Sequence, residues 1–84
     1  MPDSLIIVYG TEWCGDCRRA RRFLDTQQIP YQWINIDHDK LSEQVVKDIN
    51  RGMRSVPTIL FPDGSILVEP SNSRLAEQFN KASK

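Results

Sequence analysis

The chain has 84 residues, of which 39% are hydrophobic, and its eleven basic residues are balanced by eleven acidic ones. This length predicts one domain over residues 1–84, because two domains would each be too small to hold a core together. A formal net charge of zero argues against nucleic acid or an anionic membrane as a partner, since neither would be attracted to the whole molecule. The apolar run near the start is too short for a signal peptide or a membrane span, so we expect a cytoplasmic protein.

The first half of the chain predicts a strand, a helix and a second strand. Residues 5–9 form an apolar, β-rich run that is typical of a strand buried on both faces. Residues 14–28 place small and apolar side chains on one helical arc, and Pro30 ends that helix. Residues 31–36 predict the next strand. Because a helix connects them, the two strands are expected to be parallel neighbours.

The second half predicts a helix, a hairpin and a last helix. Apolar residues recur at helical spacing over 39–50, and Gly52 suits the left-handed position after that helix. Two short β-rich runs, 58–61 and 66–68, flank a turn sequence and predict a hairpin. Pro70 then opens the third helix. The predicted fold class is therefore α/β, in the order βαβαββα.

Cys14 and Cys17 are the two cysteines of the chain. A small secreted scaffold normally has four or more cysteines, and a disulfide across two intervening residues removes little entropy from the unfolded chain. A structural metal site usually needs four ligands, and the other soft ligands available are His38, Met1 and Met53. The pair therefore predicts redox chemistry rather than a structural disulfide or a metal site within one chain.

The position of the motif between a strand and a helix predicts different roles for the two sulfurs. Unpaired backbone N–H groups and the positive end of the helix dipole favour the thiolate at Cys14, which is the expected nucleophile. Cys17 lies one turn further along the apolar arc, where burial favours the thiol. Cys17 is therefore expected to be the resolving cysteine.

Arginine occupies four of the five positions 18–22. A solvated helix face balanced by Asp16 and Asp25 is the preferred interpretation, and a nucleic-acid patch is the alternative. Asp16 repels a nearby thiolate, and Arg19 is spaced to pair with it.

Two residues outside the motif are further candidates. Trp13 precedes the nucleophile in a loop, so an exposed platform for a substrate is favoured over a core aromatic. Pro57 begins the strand of the hairpin after Val56. The residues alone favour an ordinary trans proline here, and a cis turn that presents the Val56 backbone to the cysteines is the alternative.

The motifs together resemble the glutaredoxin family of the thioredoxin fold, and within it most closely the mycoredoxin subgroup, whose reductant is mycothiol. The matching segments are Tyr-Gly-Thr-Glu-Trp-Cys-Gly-Asp-Cys at 9–17, Ser-Val-Pro-Thr at 55–58 and Asp-Gly-Ser at 63–65. The resemblance implies a thioredoxin-like, glutaredoxin-type four-stranded mixed sheet flanked by three helices, and a cis Pro57. It also implies reduction of protein disulfides, or of mixed disulfides between proteins and small thiols.

Several positions depart from the family members that use glutathione. Those members typically carry a lysine at the position of Thr11, a Pro-Tyr pair at 15–16 and a Gly-Gly pair within 68–70. The departures favour mycothiol over glutathione as the reductant. Arg51 and Arg54 are the alternative source of the positive charge that the missing lysine would supply.

In the family, backbone N–H groups at the start of the last helix hold the carboxylate of the small thiol, a use of helix-terminus anion binding. Here that position belongs to Ser71 and Asn72. The residues expected to bind substrate or small thiol are Thr11, Trp13, Asp16, Val56, Pro57, Ser71 and Asn72.

The leading hypothesis is an enzyme in which Cys14 attacks a disulfide, and Cys17 or a free small thiol resolves the resulting mixed disulfide. We expect a monomer with no metal and no tightly bound cofactor, which acts on disulfide-bearing proteins with mycothiol or glutathione as reductant. One alternative is an electron donor to a single protein, recharged by a flavoprotein disulfide reductase. Another is an iron–sulfur carrier, in which two copies share a cluster through Cys14 and two small thiols.

Overall fold

The order of helices and strands follows the predicted βαβαββα pattern. The computed structural model describes the backbone of residues 5–82 and the side chains of residues 5–79. Its elements are β1 (Ile6–Gly10), α1 (Gly15–Thr26), β2 (Tyr31–Asn35), a short 3-10 helix (Ile36–His38), α2 (Lys40–Ile49), β3 (Thr58–Leu60), β4 (Ile66–Val68) and α3 (Asn72–Ala82). Their ends lie within one or two residues of the predicted ones, and the 3-10 helix was not predicted.

The four strands form one mixed sheet in the order β2-β1-β3-β4. β1 is parallel to β2, as expected for two strands connected by a helix. β3 is antiparallel both to β1 and to its hairpin partner β4. This is the four-stranded mixed sheet that the family resemblance implies.

The two faces of the sheet are covered by different helices. On one face, Ala20 and Leu24 of α1 and Leu75 of α3 are fully buried against the strands. On the other face, Val46 of α2 packs with Ile36 of the 3-10 helix. The sheet is therefore the middle layer of three, with β1 buried at its centre.

Part of the apolar pattern of α2 is exposed. Val46 is buried, but Leu41 is 83% exposed and Val45 is 38% exposed. At 100° per residue these side chains span a wide arc, and Leu41 lies at the end of that arc furthest from Val46. The buried face of α2 is therefore narrower than its sequence suggests.

Three connections meet at one end of the sheet. β1 and β2 are parallel, so the segments that follow them leave from the same edge. β3 runs the other way and pairs Thr58 with Tyr9, so the segment before β3 arrives at that edge too. The loop with the cysteines, the 3-10 helix and the Val56–Pro57 segment are thereby brought together.

No helix in the described part of the chain is long and apolar enough to cross a bilayer.

Candidate active site

Cys14 caps the N-terminus of α1 with its sulfur. Its backbone is extended, with φ −83° and ψ 117°, and its Sγ accepts the backbone N–H of Cys17 at 3.2 Å. The side chain is partly exposed, and neither cysteine is in a disulfide. A sulfur that accepts a helix N–H close to the positive end of the dipole is well placed to carry negative charge.

The second contact of Cys14 comes from the segment before β3. The Sγ thiol donates to the backbone carbonyl of Val56 at 3.7 Å. The Val56–Pro57 peptide bond is cis. The trans proline favoured by the residues alone is therefore wrong, and the cis proline implied by the family resemblance is confirmed. Pro57 itself is buried, so Val56 carries the polar group that faces the nucleophile.

Cys17 is the inner sulfur and has no exposed surface. Burial is the main reason why the pKa of Cys17 is raised to about 12, and the hydrogen bond with Cys14 raises it further, against the lowering effect of the Thr11 backbone N–H. Cys17 is therefore a thiol at neutral pH. The two sulfurs therefore differ in access to solvent, since Cys14 is partly exposed and Cys17 is not.

Gly10 makes room for the inner sulfur. A Cβ at this position would lie 2.6 Å from Cys17 Sγ and 2.7 Å from Cη2 of Trp33. Both side chains therefore approach the end of β1 more closely than any other residue at position 10 would allow. The sequence does not reveal this role of Gly10, because a close approach between distant residues leaves no local pattern.

Two arginine side chains of α1 also make contacts within the protein. The guanidinium of Arg21 lies 4.1 Å from the centroid of the Trp33 ring, in a cation–π contact. Arg18 donates to the backbone carbonyl of Glu12 at 3.2 Å. These contacts add to the expected solvated face, on which Arg18 is exposed and Arg21 is partly buried.

Thr11 does not reach the surface with the other candidate binding residues. Its side chain is 1% exposed, and its hydroxyl has no hydrogen-bond partner among the described residues. Its backbone N–H instead faces the sulfur of Cys17. The structure thus places Thr11 beneath the cysteine turn, because the chain continues inward from the end of β1.

Trp13, directly before the nucleophile, is exposed, and its indole N–H takes part in a polar network. The ring is 67% exposed, and its Nε1–H donates to Oδ2 of Asp37 at 3.0 Å. Oδ1 of Asp37 pairs with Arg54, whose Nε lies 2.7 Å from Oε2 of Glu43. The hydrogen bonds from Arg54 and then Trp13 lower the pKa of Asp37.

The sequence did not reveal this network, and it changes the expected role of Arg54. The only local signals were the acidic residues after β2 and the placement of Arg54 two residues before Val56. The guanidinium of Arg54 is already engaged by Asp37 and Glu43. A ligand carboxylate would have to compete with both, so Arg54 is a poor replacement for the lysine of the glutathione-using members.

Arg19 connects the cysteine turn to the start of α3. It donates to Oδ1 of Asn72 at 3.0 Å and to the carbonyl of Pro70 at 3.1 Å. The predicted pairing with Asp16 is confirmed at 3.4 Å. Two of the predicted binding residues, Asp16 and Asn72, are thereby brought to one guanidinium that sequence reasoning had not assigned to the site.

Ser71 and Asn72 are exposed at the start of α3. The Oγ of Ser71 accepts the backbone N–H of Arg74 at 3.1 Å. One of the N–H groups that the family resemblance offers to an anion is therefore already bonded. Within residues 5–79 no group of three or more His, Cys, Asp or Glu side chains is arranged to hold a metal ion.

Comparisons with known proteins find similar sequences over most of the chain. The family model named Glutaredoxin matches residues 6–66. A Mycobacterium tuberculosis protein whose name assigns it to the glutaredoxins is 38% identical over 71 residues, which is 84% of each chain. Mycoredoxin 1 of Corynebacterium glutamicum is 37% identical over 67 residues, covering 80% of this chain and 82% of the relative.

Solved structures show the same fold. The glutaredoxin grx-1 of Archaeoglobus fulgidus superposes with a TM-score of 0.71 at 23% identity, covering 88% of this chain and 84% of that one. A buckwheat glutaredoxin in complex with glutathione gives 0.66 at 19% identity, covering 92% and 69%. Both similarities show a thioredoxin-like architecture.

Proposed function

Because the chain belongs to the glutaredoxin family of thiol oxidoreductases, we propose that it reduces protein disulfides, or mixed disulfides between proteins and small thiols, through Cys14. The asymmetry of the two sulfurs carries the proposal. Cys14 is partly exposed and accepts a helix N–H, whereas Cys17 is fully buried as a thiol. One accessible nucleophile with a protected partner behind it is what stepwise thiol–disulfide exchange requires.

In the first step the thiolate of Cys14 attacks one sulfur of the target disulfide. The S–S bond of the target breaks, its other sulfur leaves as a thiolate that takes a proton from solvent, and a mixed disulfide forms on Cys14. A free small thiol can then attack this mixed disulfide. That step releases reduced Cys14 and leaves the small thiol joined in a disulfide with the departing group.

Cys17 offers a second way to resolve the mixed disulfide. Its thiol loses a proton and attacks Cys14 Sγ, which releases the substrate thiol and leaves a Cys14–Cys17 disulfide for two small thiols to reduce. Burial is the main reason why the pKa of Cys17 is raised, and it still disfavours the Cys17 thiolate when Cys14 is in a mixed disulfide. We therefore propose that the small thiol resolves most turnovers and that Cys17 acts when no small thiol is available.

The predicted contacts around Cys14 define where a substrate would lie. Trp13, directly before Cys14, offers an exposed ring, and the Val56 carbonyl accepts a hydrogen bond from the Cys14 thiol. Asp16 and Asn72 flank Arg19 at the start of α3. A peptide or small thiol that lies between Trp13 and Val56 would bring its disulfide to Cys14.

The charges near the site support a reductant other than glutathione. The guanidinium groups of Arg19 and Arg54 both have partners within the protein. To bind either of these two guanidinium groups, a glutathione carboxylate would have to compete with those partners. Mycothiol is the small thiol suggested by the similarity to Mycoredoxin 1, and we propose it as the preferred reductant.

The pairing of Arg19 and Arg54 within the protein also fits a second function. In it the chain donates electrons to one protein and is itself recharged by a flavoprotein disulfide reductase. That donor needs no small-thiol site and would cycle through the Cys14–Cys17 disulfide. The two functions differ in whether Cys17 is essential.

A mixed-disulfide reduction assay tests the proposal. Peptides carrying glutathione or mycothiol in a mixed disulfide are offered to the protein with the matching free thiol present, and release of the reduced peptide is followed. Cys14→Ser should abolish the activity and Cys17→Ser should keep it, because the outer sulfur alone must be a nucleophile. Activity in Cys14→Ser would overturn the proposal. Loss in Cys17→Ser would select the dedicated electron donor.

A further inference from the structure

A chain of contacts connects the residue before the nucleophile, Trp13, with the Val56 carbonyl that the nucleophile contacts. Cys14 Sγ donates to the carbonyl of Val56 at 3.7 Å, and Val56 follows Arg54 by two residues. Arg54 pairs with Asp37, which accepts the indole N–H of Trp13 at 3.0 Å. Trp13 precedes Cys14 directly. Trp13, the neighbour of Cys14 in the chain, and the segment with the Val56 carbonyl are thus connected through Arg54 and Asp37.

We propose that Arg54 is a positioning residue, which fixes the separation of Trp13 and Val56 around Cys14 without touching the substrate. The proposal rests on the proposed function for its effect on rate. Its structural part is that Arg54 orients Asp37 and Asp37 in turn orients Trp13, and the contacts alone support this part.

The geometry at Arg54 differs from that of an isolated surface ion pair. The guanidinium uses one terminal nitrogen for Asp37 and Nε for Glu43, so two of its sides are fixed. Asp37 in turn uses one oxygen for Arg54 and the other for Trp13. The planar fork of an arginine suits two such contacts, which a lysine ammonium would not orient. The Asp37 carboxylate is thereby held in the one orientation that Trp13 needs.

The position of the ring affects how a substrate reaches the sulfur. Trp13 is 67% exposed, and packing alone leaves such a ring free to change its side-chain angles. The hydrogen bond from its N–H to Asp37 fixes the direction of the ring at the position next to Cys14 in the chain. Attack on a disulfide requires the three sulfurs to align, and small misplacements of positioning groups reduce such rates.

The test uses the two indole N–H signals of the protein, one of which is assigned to Trp13 by its loss in Trp13→Phe. Arg54→Gln should shift the Trp13 signal and speed its exchange with solvent. Arg51→Gln is the matched control, because it removes the same charge from an exposed arginine of the same loop. It should leave the signal unchanged.

The same variants are then assayed for mixed-disulfide reduction. Arg54→Gln should lower kcat/KM by about three- to fivefold, the scale of one partly exposed ion pair, and it should have no further effect in a Trp13→Phe background. An unchanged indole signal, or an equal loss of rate with and without Trp13, would overturn the proposal. If the wild-type protein does not reduce the mixed disulfide, the proposed function fails, while the indole signal still decides whether Arg54 holds Trp13.

Discussion

Gly10 and Cys17 meet so closely that a Cβ on Gly10 would lie 2.6 Å from the Cys17 sulfur. The same Cβ would also lie 2.7 Å from the ring of Trp33. An aromatic ring is rigid, so it cannot relieve this clash by bending. The absence of a side chain at Gly10 is therefore a condition for burying the inner cysteine.

Gly10→Ala should lower the free energy of unfolding by about 1–3 kcal/mol, the range for overpacking a filled core. Gly15→Ala is the matched control, because a Cβ there meets nothing within 4 Å. It should leave stability unchanged or raise it slightly, since alanine favours the helix. Urea unfolding of the reduced proteins measures both. Equal stability of the two variants would contradict the close approach described here.

The stability of the reduced protein should fall at alkaline pH because of Cys17. Its pKa is about 12 in the folded protein, against an ordinary value of 9.0. A group whose pKa is raised on folding contributes its full stabilisation below the unfolded value and loses it as pH rises toward the folded value. The loss should therefore begin near pH 9 and continue toward pH 12.

Cys17→Ala provides the comparison, because Tyr9, whose pKa is also raised by burial, is unchanged in it. Urea midpoints of both proteins at a series of pH values above neutrality should converge as the pH rises. Curves that stay parallel would show that Cys17 does not titrate differently in the folded and unfolded states.

Limiting iodoacetamide should label Cys14 and leave Cys17 unmodified in the reduced, folded protein. Cys14 is partly exposed, whereas Cys17 has no exposed surface and is a thiol at neutral pH. Peptide mapping after partial labelling identifies the site, and labelling in urea provides the control in which both react. Faster labelling of Cys17 in the folded state would reverse the roles assigned to the two sulfurs.

Arg19→Ala should lower stability by roughly 0.5–1.5 kcal/mol, because it removes two hydrogen bonds to the start of α3 from a partly exposed side chain. The exposed Arg22 lies on the same helix, and Arg22→Ala should have little effect. Hydrogen exchange of the Leu75 N–H, which bonds to the carbonyl of Ser71 at 3.0 Å, should become faster only in the Arg19 variant. Equal exchange in both would indicate that Arg19 does not tether α3.

Local patterns were enough to predict the four strands, the three α-helices and the position of the cysteine pair at the start of α1. The apolar run of β1 and the spacing of Cys14 and Cys17 are properties of neighbouring residues, and both lie where they were predicted. The contacts of Trp13 with Asp37 and of Arg19 with Asn72 join residues 24 and 53 positions apart. No periodicity or spacing rule relates such residues, so these contacts needed the folded chain.

Thr11 shows what the family resemblance does not reveal about a side chain. Its position matches a lysine of the glutathione-using members, and Thr11 was expected to bind substrate or small thiol. The structure buries it beside Cys17. A short uncharged side chain can turn inward where a lysine would stay at the surface, because burying an unpaired ammonium is far more costly.

Cys14 is expected to form a mixed disulfide with a small thiol, and Cys17→Ser should trap that species because the inner thiol that could resolve it is removed. The variant is incubated separately with oxidised mycothiol and oxidised glutathione, and intact mass is followed over time. One adduct on Cys14 should persist and should form faster with mycothiol, because Arg19 and Arg54 already have partners in the protein. A faster glutathione adduct would contradict the choice of reductant, and the absence of an adduct with either thiol would contradict the proposed role of Cys14.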